Sequence, residues 1–173
     1  MARMKERKRR PPSNFQSFYI QIKDSTPDYT FSLNGSKLTV GPYWEHLETT
    51  LMGTFLWPDR VKGLQIRLVF MGLRDHQSKL EQPIDSDWKP RNVGVLTLRG
   101  KRREFLGSLP YDALWGLLHA FSSGALRIAH LYGILERGRA EIHSVNFARD
   151  VDPDELRSES TESDAMEAVA AAG

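Results

Sequence analysis

The sequence predicts a mainly β domain, an antiparallel sandwich or partly open barrel of about eight strands, with one α-helix near residues 110–122. Three observations lead there. Apolar and polar residues alternate over several short segments, the period of a strand buried on one face. Turn-forming residues separate those segments. Only one stretch carries apolar residues at helical spacing with no competing strand signal.

Taken in order, Phe18, Ile20 and Ile22 alternate with Tyr19, Gln21 and Lys23, and Tyr29, Phe31 and Leu33 alternate with Thr30 and Ser32. Asn34-Gly35 is well suited to a type I′ hairpin turn, in which both central residues take positive φ. Leu38 and Val40 resume a strand beyond it. Residues 46–56 fit two periods. Trp44, Leu47 and Leu51 make a helical stripe, whereas the β-branched Thr49, Thr50 and Thr54 favour an extended chain, and the strand is the preferred reading. Pro58-Asp59 ends it. Ile66, Leu68 and Phe70 then alternate with Gln65, Arg67 and Val69. Residues 75–90 are polar, contain two prolines and show no period, which reads as a long surface loop.

Residues 93–98 and 104–106 flank Arg99-Gly100-Lys101-Arg102, a hairpin with a basic tip. The helix follows. Leu114, Leu117, Leu118 and Phe121 form its stripe, Pro110 and Asp112 suit its first turn, and Gly124 suits its stop. Trp115 lies at the edge of that stripe and reads as core. Residues 126–135 and 140–147, joined by Glu136-Arg137-Gly138-Arg139, form a closing hairpin.

The 173 residues, 40% of them hydrophobic, suit one core. The expected organisation is a basic disordered arm at 1–14, a single β-rich domain at 15–149 and an acidic disordered tail at 150–173. The net charge of +2 conceals this asymmetry: residues 1–10 hold six Lys/Arg and one Glu, and residues 150–173 hold eight acids and one Arg. With no cysteine, disulfides, thiol nucleophiles and thiolate metal sites are excluded, and a reducing compartment is the natural inference. No apolar run approaches the roughly 20 residues that span a bilayer, and no signal-peptide core follows the basic start. The expectation is a cytoplasmic protein without a membrane partner.

Five histidines, His46, His76, His119, His130 and His143, lack the spacing of a zinc-binding helix. His130 and His143 fall on the two arms of the closing hairpin, where cross-strand proximity could bring them together. Asp150, Asp152 and Asp154 resemble the opening of a calcium loop, but Glu155 stands where glycine is needed and Thr161 where the bidentate glutamate belongs. Gly94 and Gly100 are one residue too far apart for a phosphate loop, and Arg102 replaces its magnesium-binding hydroxyl. No serine occupies a nucleophile elbow. Neither cofactor nor metal is expected.

Basic clusters are the recurring signal. Arg3, Lys5, Arg7, Lys8, Arg9 and Arg10 of the arm, with Arg99, Lys101, Arg102 and Arg103 of the hairpin tip, suit contact with a polyanion. The acidic tail could compete for the same surface. Trp88, between Asp87 and Lys89 in the long loop, is the tryptophan least explained by packing and the candidate partner contact. Trp44 and Trp57 read as turn anchors. The leading functional expectation is a non-enzymatic binding or assembly module, its partner another protein or a second copy. The alternative is a nucleic-acid-associated protein using the arm and the basic tip. An enzyme with dispersed residues around His130 or His143 is the least supported class.

Overall fold

In the computed structural model, which describes residues 15–33, 43–73, 93–100 and 103–152, the first two alternating segments are one strand, β1 (Phe15–Leu33). It pairs antiparallel with β2 (Tyr43–Trp57). A bulge explains why the sequence looks like two pieces. Ile22 faces Gly53 and Asp24 faces Met52, so Lys23 has no counterpart. One extra residue flips every later side chain to the other face. Phe18, Ile20 and Ile22 face the core before the bulge; after it Ser25, Pro27 and Tyr29 take over that side of the strand, opposite Leu51, Thr49 and Leu47, with Pro27 and Tyr29 exposed where β1 runs past the barrel. Residues 46–56 are strand, as preferred: Leu47, Thr49, Leu51 and Phe55 are buried at alternate positions.

A short 3-10 helix (Asp59–Val61) leads into β3 (Gln65–Leu73). The remaining strands are β4 (Gly94–Thr97), β5 (Glu104–Pro110), β6 (Ile128–Glu136) and β7 (Arg139–Ala148). The sheet order β1-β2-β3-β5-β4-β7-β6 closes on itself through β6 and β1. Among the described residues the chain is therefore mainly β with one α-helix, and their seven strands form a closed barrel. Among the described strands, only β3 and β5 pair in parallel. The strands are strongly staggered, as barrel closure requires. Following paired residues outward from Phe15 through Ile134, Glu141, Val95, Leu106, Val69 and Thr50 returns to β1 at Thr26.

Side chains fill the interior. Phe18, Phe55, Phe70 and Phe105 are fully buried with Ile20, Leu51, Leu68, Leu96 and Leu131. Phe105 needs its neighbours to be glycine: a Cβ on Gly94 or on Gly107 would stand 2.5 Å from its ring atoms.

The helix α1 (Tyr111–Ser122) starts directly after β5. Leu114 drives into the core, and the Phe121 ring meets Phe147 edge-on at 5.8 Å. Tyr111 packs over Gly72 and donates its hydroxyl to the Glu45 carbonyl at 3.2 Å. The stop is a Schellman motif: Gly124 has φ +72°, its N–H donates to Phe121 O, and that of Ala125 donates to Ala120 O. One expectation fails here. Trp115 is 46% exposed and packs on Tyr29 at 5.8 Å instead of entering the core. Tyr29 and Trp115 meet outside the barrel mouth, where the β1–β2 ladder continues past the last β2–β3 pair at Glu48 and Met71.

The Asn34-Gly35 turn, the strand through Leu38 and Val40, the 75–90 loop, the basic arm and the 153–173 part of the tail lie outside the described residues.

Candidate polyanion interface

Two hairpins meet at the end of the barrel away from the helix. In the β6–β7 hairpin, Glu136 pairs with Arg139, leaving Arg137 and Gly138 as a two-residue turn with φ values of 46° and 81°. Both values are positive, as a type I′ turn requires. The β4–β5 hairpin turns alongside, with Gly100 at φ 67°. The two tips are hydrogen-bonded to each other: Leu98 N–H donates to Gly138 O at 2.8 Å, and Arg99 Nε donates to Arg137 O at 2.7 Å. The Arg99 side chain lies so close over Gly138 that a Cβ there would stand 3.0 Å from its Cγ.

This docking gathers charge from separate parts of the chain. Arg99, Arg137 and Arg139 are exposed and rim a groove of about 900 Å³ whose apolar floor is Val95, Leu106 and Ile134. Glu136 and Glu141 also line it. Arg103 is half-buried at the foot of β5, where its carbonyl accepts the Arg67 N–H at 3.1 Å. The Arg67 guanidinium is engaged by Glu104 at 3.4 Å and Glu48 at 3.9 Å. On the neighbouring turn Arg60 donates to Gln16, and Lys62 lies 3.7 Å from Asp59.

The chain enters the barrel at this same end. Phe15 is paired with Ile134, two residues before the β6–β7 turn begins at Glu136. Arm residues Arg3, Lys5, Arg7, Lys8, Arg9 and Arg10 lie outside the described residues; the first described residue after them, Phe15, pairs with Ile134 at the hairpin end of β6. The acidic tail departs from the opposite end, where Ala148 pairs with Ile128 next to the helix. Lys101, Arg102 and Trp88 also lie outside the described residues.

Compared with protein-family models, with curated proteins and with solved structures, the chain gives no significant match. The reading of this site therefore rests on its own geometry.

His130 and His143 share the outer face of β6 and β7. Tyr19 stacks on the His130 ring at 4.2 Å and 4°, and His130 Nε2 lies 3.1 Å from Ser17 Oγ. His143 faces the Phe15 ring edge-on at 5.7 Å, and Phe15 in turn stacks on Tyr132 at 5.3 Å. The two imidazoles thus have separate packing partners. Among the described residues, no group of three or more His, Asp or Glu could hold a metal ion. Nor, among them, is any helix long and apolar enough to cross a membrane.

Sequence reasoning found Arg99 and Arg103 but missed Arg137 and Arg139. Their signal was present in Glu136-Arg137-Gly138-Arg139, a turn with the same Arg and Gly content as the tip already singled out. Only the pairing of β4 with β7 makes the two turns one surface.

Proposed function

We propose that this chain is a non-enzymatic binding module whose basic barrel end holds a polyanion, the phosphate backbone of a nucleic acid. The observation that carries the reading is convergence. The docked tips of two hairpins and the attachment point of an arm with six Lys/Arg lie at one end, while the acidic tail leaves from the other. Lys and Arg that neutralise phosphates release condensed counterions, so such a surface binds with a strong salt dependence. An arm that trails from a rigid platform adds contacts without requiring a preformed groove.

The test is a titration of labelled mixed-sequence DNA and RNA oligonucleotides with the full chain at rising salt. A linear fall of log Kobs with log salt is expected, and deletion of residues 1–10 should make that line shallower. Absence of binding at low salt overturns the reading. An unchanged slope after the deletion would confine the contact to the hairpin tips.

A second reading has its own observation. At the helix end Tyr29, Phe31 and Trp115 are 48%, 57% and 46% exposed. Exposed aromatic side chains of this kind are enriched at protein–protein contacts, so this end is the surface for self-association or for a protein partner. Sedimentation of the wild type against Trp115→Ala at high concentration tests it: two identical monomeric profiles would remove self-association.

A further inference from the structure

Resting on the polyanion reading, we infer that the basic end takes single-stranded nucleic acid, with a base stacked on Tyr132. The groove between the arginine tips does not stop at its own floor. Leu106, Val95, Glu141, Ile134 and Phe15 form one unbroken row of cross-strand pairs over the outside of five strands. Tyr132 stands two residues before Ile134 on the same face of β6, 39% exposed and stacked on Phe15 with rings only 17° apart. His143, one strand beyond Tyr132, meets the Phe15 ring edge-on at 5.7 Å. The result is an aromatic platform held by its neighbours and continuous with a groove whose rim is Arg99, Arg137 and Arg139.

The charges along this surface are sorted. Three arginines, Arg99, Arg137 and Arg139, sit at the tips and the rim against one carboxylate there, Glu136, whereas the strip between Leu106 and Phe15 is apolar except for Glu141. A phosphate lying over the strip would meet the Glu141 carboxylate, so the backbone belongs at the tips. What covers the strip must then be uncharged and flat. Unpaired bases meet that requirement, and a duplex, whose bases are stacked inside, cannot offer them to an aromatic side chain without being opened.

The experiment compares three labelled probes on the full chain: an oligothymidylate, a hairpin duplex with the same number of phosphates, and inorganic polyphosphate. The oligothymidylate should bind tightest. Tyr132→Ala should weaken it by about 5- to 150-fold, the range for losing one base–aromatic stack, and leave polyphosphate affinity unchanged. Tyr132→Phe keeps the ring and should keep the affinity, which separates stacking from a folding defect. The inference is overturned if duplex or polyphosphate binds as tightly as the single strand, or if Tyr132→Ala weakens all three equally. Failure of the wild type to bind any of the three instead overturns the polyanion reading beneath it.

Discussion

At one end of the barrel a helix drives Leu114 into the core and brings Phe121 against Phe147; at the other, the core is covered by Val61 of a short turn and by Leu64 and Leu98. The first closure is a packed layer joined to the barrel by Tyr111 and Gly72. The second is thin and leaves two hairpin tips standing in solvent, docked through Leu98 N–H on Gly138 O and Arg99 Nε on Arg137 O. The difference teaches a division of labour. The helix end supplies stability. The hairpin end is free of that duty and can present charge, because exposed turn residues cost little to vary.

The largest test of this division is Leu114→Ala. Leu114 is fully buried, and losing its side chain leaves a cavity that neighbouring strands cannot collapse into, so unfolding free energy should fall by about 2–5 kcal/mol in a denaturant titration. A loss below about 1 kcal/mol would show that the helix is an appendage, far outside the range for such a cavity. Next in size is Gly138→Ala. At φ 81° the new Cβ costs about 1–2 kcal/mol on conformational grounds, and at 3.0 Å it presses on the Arg99 side chain. Thermal melting should register the first effect, and weaker polyanion binding the second, because the tips are docked through Gly138 O and Arg137 O.

The helix end was the more legible of the two in the sequence. Leu114 and Phe121 follow the helical period, Pro110 and Gly124 bracket it, and local rules decide all four. The fold class was legible for the same reason: alternation marked most of the strands. What alternation could not reveal was closure. The bulge at Lys23 breaks the phase, so one strand reads as two, and the parallel pairing of β3 with β5 links segments separated by more than thirty residues. The candidate site was half legible. Arg99 and Arg103 stood out as a charge run, but Arg137 and Arg139 join them only through β4–β7 pairing, which leaves no local trace. Trp115 failed for a related reason. Its place beside the stripe suggested burial, yet the continuing β1–β2 ladder offers it Tyr29 outside the barrel mouth.

The finest test sets one residue from each end against the other. Trp115→Ala removes an exposed aromatic pair worth about 0.5–1.5 kcal/mol beyond area, so it should lower the melting temperature slightly and leave the salt dependence of polyanion binding unaltered. Arg139→Ala should do the reverse. Its side chain is exposed on the rim, its cross-strand neighbours are Glu136 and Thr97, and no core contact depends on it. Stability should stay within about 0.5 kcal/mol of wild type, while the slope of log Kobs against log salt should drop by about 1, as for any lost phosphate contact. If both variants shifted the slope, the polyanion would be wrapping the whole barrel and charge would not be divided between the ends. If neither did, the arm alone would carry the contact, and the two hairpin tips would be docked for structure only.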